Sequence, residues 1–540
     1  MTQEDNQINE TQVYFGADAR KRLYAGIKIA ADAVGATMGP RGKTVLIQRK
    51  DSAPILTKDG VTVSKAVKPV DPVEKMGAEL ILEAATRTND VAGDGTTTST
   101  VLTYSLVTEG MKLLEAGYSS KKLVEGIELA ASTVTKSLIE MSKKIETREQ
   151  IEHVGTISAN GDTNIGKIIA DAMEKVGADG IITVEDAKGM TTSLDHVEGL
   201  QFDRGYVSPY FATNTDRMNT IYSDARVLIT DRKISLLKDL LPVLEESNRN
   251  KVPLLIVADD IEGEALQGLI LNKVKADLRV VAVKAPGYGK SREQFLTDMC
   301  VLTSTQMISP INGTSLEKVK MSDLGKAKKV VVDSKTTTIV GTGLTTGAVN
   351  EHIEKLKMQL RDVTLTVQET MILRERIAKL GSGVAIIKVG GSTELEMLER
   401  KYRIEDALHA TRAAAEEGIV PGGGIALLRA ITTLPTPEDH EIRAGIDVVR
   451  KACSYPLRKI VTNAGGSPDV VEKELSNLNC ESPWMGYNVA NNCYVNMLEK
   501  GIIDPVKVSR TALENAKSVA TSFLTLDAVI CEYKNESTKS

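Results

Sequence analysis

The chain has little cysteine, few aromatic residues and no long apolar run. Its five cysteines are widely spaced and form no CxxC pair, which argues against a disulfide framework and a zinc site and is typical of a reducing compartment. No segment approaches the ~20 apolar residues that span a membrane. The polar start, Met1–Glu10, resembles neither a secretory signal nor a mitochondrial presequence and is predicted to fray. We therefore expect a cytoplasmic protein without a membrane partner.

The chain also lacks a large excess of basic or acidic residues. The 67 basic and 72 acidic residues leave a net charge of −5, whereas a general polyanion binder carries a clear basic excess. Nucleic acid is therefore not an expected partner. With only 5 Phe, 13 Tyr and one Trp, the cores must be built from aliphatic residues. Against that background, the cluster Phe202, Tyr206, Tyr210 and Phe211 is conspicuous.

The chain is long enough for several domains, about three or four at ~150 residues each. Apolar periodicity predicts mainly helical ends, up to about residue 140 and from about 413 onwards. Between 226 and 283, apolar runs alternate with helical patterns over 234–246 and 262–274. This order of strand, helix, strand, helix, strand predicts a βαβαβ unit with a parallel sheet. Either helical end alone would be a fragment, so the two ends are predicted to form one domain.

A glycine-rich loop reads NDVAGDGTTTST over 89–100 and runs directly into a helical pattern. Such a turn presents free backbone N–H groups and the positive end of the helix dipole to a phosphate. Thr96–Thr98 add hydroxyl groups, and Asp94 adds a carboxylate that can hold Mg²⁺. The loop lacks the Walker lysine. From the loop alone, a phosphate site and an ordinary capped helix remain equally open.

Other features are ambiguous when taken singly. The turn Thr37–Gly42 is more simply a Gly/Pro helix stop than a binding loop. Gly422–Gly424 could admit a flat ring close to the backbone or be only a connection. Isolated carboxylates at Asp59, Asp406 and Asp504 are usually surface residues or helix caps.

Together, however, these pieces resemble a GroEL-type group I chaperonin over essentially the whole chain. The family's motifs occur in family order as ATMGPRG (36–42), LTKDG (56–60), NDVAGDGTTT (89–98), VGTISAN (154–160), FDRGYVSPYF (202–211), EDALHATR (405–412) and IDP (503–505). The resemblance implies a multi-domain α and α/β fold. It comprises a mainly helical equatorial ATPase domain (1–140 and 417–540), a small α/β intermediate hinge domain (141–197 and 385–416) and an inserted α/β apical domain (198–384).

The resemblance implies an ATPase that couples hydrolysis to protein folding. The implied partners are non-native polypeptides, a GroES-type co-chaperonin and further copies of the chain in a heptameric ring. The implied ligands are ATP, Mg²⁺ and K⁺. The family's ATP site matches Thr37, Met38, Gly39, Pro40, Lys58, Asp94, Gly95, Thr96, Thr97, Thr98, Gly423, Asn488, Val489, Ala490 and Asp504. Asp94 would hold Mg²⁺, and backbone oxygens of Thr37 and Lys58 would hold K⁺. Asp406, with Asp59 beside it, would activate the attacking water after domain closure.

The helices predicted over 234–246 and 262–274 carry more apolar residues than one buried face needs. Two stripes on the first comprise Ile234, Leu237, Leu241, Leu244 and Leu236, Leu240, Val243. They indicate either burial on both sides or an exposed groove. The resemblance favours a groove that binds polypeptides, formed by Tyr206, Tyr210, Phe211, Leu241, Leu244, Leu266, Ile270 and Leu271. It also implies hinge glycines (Gly199, Gly383, Gly418), an intersubunit pair (Arg204, Glu394) and a domain-locking pair (Asp162, Arg403).

The chain departs from the family pattern at several positions. Lys144 replaces a hinge proline, Ser382 replaces a hinge glycine, Pro421 precedes the triple glycine, and the tail 532–540 has no Gly-Gly-Met repeats. Arg458 stands where the family places one partner of an inter-ring salt bridge, but the acidic partner position is Ser467. We therefore expect a weakened double ring or a single ring. A soluble ATPase or kinase-like metabolic enzyme and a non-folding binding paralogue are the alternative functions.

Overall fold

The computed structural model describes residues 9–48, 54–159, 161–177, 180–187, 189–214, 218–276, 278–360, 366–381, 383–478 and 482–534. Asn160, Ser382 and the tail from 535 onwards, which the sequence analysis singled out, lie outside these ranges.

The regular elements alternate between helices and short strands along the chain. The helices are α1 Gly16–Gly35, α2 Gly60–Ala66, α3 Pro72–Ala92, α4 Thr96–Glu115, α5 Ser120–Met141, α6 Arg148–Ser158, α7 Thr163–Val176, α8 Leu241–Asn250, α9 Gly263–Ala276, α10 Gly289–Thr303, α11 Thr346–Gln359, α12 Val367–Gly381, α13 Glu394–Glu417, α14 Ile425–Ala430, α15 His440–Asn463, α16 Pro468–Leu478 and α17 Val506–Leu524. The strands are β1 Asn9–Phe15, β2 Val45–Ile47, β3 Ile55–Thr57, β4 Ile181–Asp186, β5 Ser193–Val197, β6 Gly199–Phe202, β7 Thr220–Ile229, β8 Lys233–Ile234, β9 Leu254–Ala258, β10 Asp260–Ile261, β11 Val280–Lys284, β12 Gly325–Val332, β13 Thr337–Val340, β14 Val384–Val389, β15 Ile419–Pro421, β16 Met485–Asn488, β17 Cys493–Asn496, β18 Ile503–Pro505 and β19 Ala528–Lys534.

The chain folds into two compact units. Unit 1 comprises Met1–Ala170 and Tyr402–Ser540, and unit 2 comprises Asp171–Lys401. Unit 1 thus joins the two ends of the chain, in keeping with the expectation that neither end forms a domain by itself. The finer division into three domains stays a prediction.

Unit 1 is built mainly of helices. α1, α3, α4, α5, α15 and α17 contribute to one aliphatic core, to which Ala, Val, Ile and Leu supply most side chains. β1 pairs antiparallel with β19, with Asn9 opposite Lys534 and Phe15 opposite Ala528. This pairing contradicts the expected fraying of Asn9 and Glu10, because a strand from the far end of the chain satisfies their backbone. In the described part of the chain, no helix is long and apolar enough to cross a bilayer.

Unit 2 contains a six-stranded sheet in the order β11-β9-β7-β12-β13-β6 and a three-stranded sheet, β4-β14-β5. β7, β9 and β11 run parallel, as the βαβαβ pattern predicts. The antiparallel strands β12, β13 and β6 complete the sheet. Three helices are tied together by a buried cluster, in which Arg376 of α12 donates two hydrogen bonds to Asp298 of α10 and His352 of α11 lies 2.7 Å from the same carboxylate.

The helix predicted over 234–246 is wrong at its start. Residues Lys233–Ile234 form β8, Leu237–Asp239 form a 3-10 turn, and α8 begins only at Leu241. Pro242 explains this start, because proline lacks the N–H of a helix interior and fits only the first turn. The two apolar stripes are therefore not faces of one helix.

Candidate functional site

The glycine-rich loop forms a sharp connection between two long helices of unit 1. α3 ends at Ala92, Gly93 has φ +74°, and Gly95, the residue before α4, has φ +88°. No side chain caps α4. Its first N–H groups therefore lack a side-chain acceptor, and together with the helix dipole they suit a phosphate.

Two partly buried carboxylates flank this helix start. Burial raises the pKa of Asp94, against the opposing effect of hydrogen bonds from the Gly95 N–H, at 2.5 Å, and from Ser158. Burial also raises the pKa of Asp504 to about 7, and the negative charge of Asp94 adds to that rise. The effect of the Asp94 charge on the pKa of Asp504 indicates that the two carboxylates lie close together. Perturbed carboxylates beside an uncapped helix are typical of a functional site.

A second segment, Lys58-Asp59-Gly60, lies against the loop. A Cβ placed on Gly60 would come 2.3 Å from the Thr97 hydroxyl, so only glycine permits this approach. The exposed Asp59 carboxylate accepts hydrogen bonds from the N–H groups of Val61 (3.1 Å) and Thr62 (2.8 Å), and it therefore caps α2. The approach of Gly60 to Thr97 brings this carboxylate to the glycine-rich loop.

The triple glycine meets Asp504 on the same side of the loop. The Asp504 Oδ1 atom lies 3.0 Å from the position of a Cβ on Gly422, and the Gly423 N–H donates to the carboxylate. β15 and β18 pair antiparallel, with Val420 opposite Asp504, and this register fixes the contact.

The remaining predicted ATP residues form a neighbouring group. Met38 and Val489 belong to one apolar cluster with Val101 of α4. Arg41 donates to the Ala490 carbonyl oxygen at 3.0 Å, which links the turn after α1 to the hairpin of β16 and β17. The structure thus brings together the turn of Thr37, Gly39 and Pro40, the α4 start, and the hairpin residues Asn488 to Ala490.

The helix that carries Asp406 is packed on the glycine-rich loop within unit 1. A Cβ on Gly93 would lie 2.1 Å from the His409 Cβ of α13. Ala413, one further turn along, clusters with Ala92 and Val508. Asp406 precedes His409 by one helical turn and so occupies the same face. The segment bearing Asp406 is therefore already beside the loop, whereas the sequence suggested that it would arrive from another domain.

The loop chemistry fits a magnesium nucleotide. Among the described residues, no group of three or more His, Cys, Asp or Glu side chains is arranged to hold a metal ion. Mg²⁺ commonly takes one or two carboxylates and completes its shell with phosphate oxygens and water. Asp94 fits that role, because a partly buried carboxylate near Asp59 and Asp504 gains from a nearby cation. The K⁺ site at the Thr37 and Lys58 backbone stays a prediction.

The proposed client-binding residues are unequally exposed. Tyr210 is 68%, Leu241 42% and Leu271 52% exposed. Phe211 and Leu244 instead belong to the core of unit 2, so the expectation that they line an exposed groove is wrong. The Phe211 ring is buried at the end of the 3-10 turn Pro209–Phe211, and Leu244 lies one turn inside α8. Tyr206, Leu266 and Ile270 are partly buried against the same core.

The predicted hinge and switch residues take ordinary positions at the ends of elements. Gly199 begins β6, Gly383 precedes β14, Gly418 follows α13, and Glu394 begins α13. The Arg403 guanidinium lies 4.0 Å from Asp162, and these are the two residues that the resemblance pairs. Their role as a lock stays a prediction. Arg204 donates to the Tyr288 hydroxyl at 3.1 Å.

Sequence reasoning missed supporting residues of the site. Ser158, which hydrogen bonds to Asp94, lies inside a motif that was recognised without a role for this serine. Asn463 donates from Nδ2 to the carbonyl oxygens of Gly35 and Met38, both at 2.9 Å, and thereby holds the turn after α1. A single asparagine within a long amphipathic helix gives no signal of such a contact.

Comparisons with known proteins agree with this arrangement. A family model described as the TCP-1/cpn60 chaperonin family matches residues 30–534. Two crystal forms of the chaperonin gp146 from the bacteriophage EL 2 (Pseudomonas aeruginosa), both in the presence of ATP-BeFx, are similar in fold. Form II has a TM-score of 0.67 and form I a TM-score of 0.62. In each case the identity is 22%, over 97% of this chain and 99% of that chain.

Proposed function

The chain belongs to the TCP-1/cpn60 chaperonin family, and on that premise we propose that it is an ATP-dependent protein-folding chaperonin. The observation that best supports this function is the candidate nucleotide-binding site of unit 1. This site combines a start of α4 that no side chain caps with two carboxylates, Asp94 and Asp504, whose pKa values are raised. Gly60 approaches the same loop closely at Thr97.

The proposed ATPase chemistry needs positioning and charge neutralisation more than covalent catalysis. The α4 N–H groups and the hydroxyls of Thr96 to Thr98 bind the phosphates. Asp94 holds the Mg²⁺ that neutralises phosphate charge, and K⁺ is a further ligand of the site. Asp504 and the glycines beside it hold the rest of the nucleotide. Asp406, with Asp59, accepts the proton of the attacking water.

The proposed capture surface is the exposed apolar part of unit 2 around Tyr210, Leu241 and Leu271. Exposed apolar side chains on adjacent elements bind non-native polypeptides by burial, with little sequence specificity. Tyr206, Leu266 and Ile270, which are partly buried against the core of unit 2, contribute their remaining exposed area. A GroES-type co-chaperonin would compete for the same surface, and further copies of the chain would form a heptameric ring.

A weakened ring–ring contact is part of the proposal. The Arg458 guanidinium is engaged within its own chain, at 2.7 Å from Asp469 and 2.7 Å from Glu472. Ser467 leaves the expected acidic partner position uncharged, and Gly466 beside it replaces a second residue that is acidic in the family pattern. Particle mass with and without ATP tests this point. Single rings under either condition support it, and a double ring that persists throughout hydrolysis contradicts it.

ATP-dependent refolding of a denatured client tests the proposed function. We expect Asp406→Ala to bind ATP and client but to turn over very slowly, while Glu399→Ala, an exposed carboxylate on the same helix, behaves as wild type. Normal hydrolysis by Asp406→Ala would show that the assigned role is wrong. If the wild-type chain neither captures nor refolds clients, the chaperonin function itself is wrong.

A further inference from the structure

Lys273 of α9 is a half-buried lysine that no carboxylate of the described residues neutralises. Its Nζ atom donates to the Phe211 carbonyl oxygen at 2.6 Å and lies 3.4 Å from the Tyr222 hydroxyl oxygen. It also stands 5.8 Å from the centroid of each of the two rings. Burial lowers the pKa of Lys273 to about 8. A desolvated cation without a carboxylate partner lowers the stability of the fold. A role for Lys273 other than stabilisation is therefore sought in the groups that its ammonium contacts.

Those contacts converge on one short turn. Pro209–Phe211 is a 3-10 turn that the Ser208 side chain caps through the Tyr210 N–H. The Phe211 ring is fully buried, whereas the neighbouring Tyr210 ring is 68% exposed. The exposed Tyr210 ring is thus held on this turn. The position of the turn depends on the contacts that fix Phe211, the residue after Tyr210.

The carbonyl oxygen of Phe211 is the point of attachment. It accepts hydrogen bonds from the Thr220 hydroxyl of β7 and from the Lys273 ammonium of α9. The lysine bond is charge-assisted, and such bonds are about twice as strong as neutral ones. The two ring faces add cation–π attraction. The turn is thereby tied both to the sheet and to the helix that carries the exposed Leu271.

We propose that Lys273 is a positioning residue of the client-capture surface, fixing the Pro209–Phe211 turn to α9 so that Tyr210 and Leu271 present one continuous apolar surface. The inference rests on the proposed function, because it assumes that this surface binds clients. A lysine suits the task, since its long side chain carries the ammonium to the Phe211 carbonyl oxygen and within 5.8 Å of both ring centroids.

The first test measures the turn directly. Chymotrypsin cleavage after Tyr210, followed by fragment mass in the assembled full-length protein, reports local opening. We expect Lys273→Met to raise this cleavage rate about tenfold, the effect of losing one charge-assisted hydrogen bond. Lys275→Met, which removes an exposed lysine two positions along α9, should leave the rate unchanged. An unchanged rate in Lys273→Met overturns the inference.

The second test measures capture of a denatured client in the absence of ATP. We expect Lys273→Met to capture the client several-fold more weakly. Its unfolding midpoint should be no lower than that of the wild type, because the substitution removes a desolvated charge. Lys273→Arg keeps the charge and the donors and should recover most of the loss. A failed rescue together with a lowered midpoint would mark a merely structural role and overturn the inference.

Tyr210→Ala separates the two proposals. If Tyr210→Ala captures clients normally, the proposed capture surface is wrong, and the inference about that surface falls with it, whatever Lys273→Met does to cleavage. If Tyr210→Ala loses capture but Lys273→Met, despite faster cleavage, does not, the surface stands and the positioning role is refuted. Loss of capture in both variants supports the proposal.

Discussion

The contact between Gly93 and His409 offers a direct test of how the site is organised. Gly93 ends α3 with φ +74°, and a Cβ on it would lie 2.1 Å from the His409 Cβ. Carbon atoms in contact are separated by about 3.5–4.0 Å. Gly93→Ala must therefore move the loop and α13 apart by roughly 1.5 Å at this point.

That displacement has a predictable kinetic cost. A misplacement of about 1 Å in a positioned site costs on the order of a hundredfold in rate. We therefore expect the kcat for ATP hydrolysis by Gly93→Ala to fall about a hundredfold, or ~3 kcal/mol in activation free energy. The α4 start remains intact, so ATP binding should weaken much less. Steady-state hydrolysis and equilibrium binding of a labelled nucleotide separate the two effects.

Gly117→Ala is a matched control. Gly117 also has positive φ, at +91°, but a Cβ there would meet nothing within 4 Å. It should cost the same ~1–2 kcal/mol of backbone strain in the free energy of unfolding and leave hydrolysis intact. In the Gly93→Ala background, His409→Gly removes the opposing Cβ and should restore much of the rate. Wild-type hydrolysis by an assembled Gly93→Ala protein would refute the reasoning.

Three further predictions concern stability and conformational change. Arg376→Met removes two hydrogen bonds from the buried Asp298 and leaves His352 as its remaining partner. We therefore expect the free energy of unfolding in urea to fall by about 3 kcal/mol, and an unchanged value would contradict the pairing. The pKa of Lys273 is about 8 in the folded chain and about 10.4 in the unfolded chain. Between about pH 8 and pH 10.4, the unfolded chain therefore binds more protons than the folded chain. The free energy of unfolding should then rise across this pH range, and the rise should be smaller in Lys273→Met than in the wild type. The Lys143 ammonium, which adjoins the predicted hinge position Lys144, lies 4.9 Å from the ring centroid of Trp484, the chain's one tryptophan. If ATP moves this hinge, it should change the Trp484 fluorescence in the wild type and change it less in Lys143→Met. An emission that saturating ATP leaves unchanged would contradict that movement.

The helical ends, the parallel strands and the glycine-rich turn into α4 were predictable because their signals are local. Periodicity gave the parallel strands around Leu254–Ala258 and Val280–Lys284. The helix predicted over 234–246 failed because apolar spacing outweighed Pro242. Phe211 failed for a different reason. Whether an aromatic residue points outward or inward depends on packing against β7, and one sequence does not record that packing.

The site was predictable as a set of motifs but not as a geometry. Gly60 meets Thr97, and Gly422 meets Asp504, yet each pair is far apart in the chain. Loop chemistry alone left phosphate binding open, and the resemblance supplied the grouping. Ser158 and Asn463 went unrecognised because polar residues in helices are common, and a single hydrogen bond to a distant group leaves no periodic pattern.

The anchoring of α13 explains why its close contact with the loop requires a glycine. Within unit 1 the helix ends at Glu417, and Arg510 donates to that carboxylate at 2.6 and 3.1 Å. With ~1.5 Å rise per residue, His409 lies about 12 Å from that anchor. Because this end of the helix is held, the displacement that a Cβ on Gly93 requires falls mainly on the loop that leads into α4. The glycine-rich loop is therefore the segment whose geometry we expect Gly93→Ala to change.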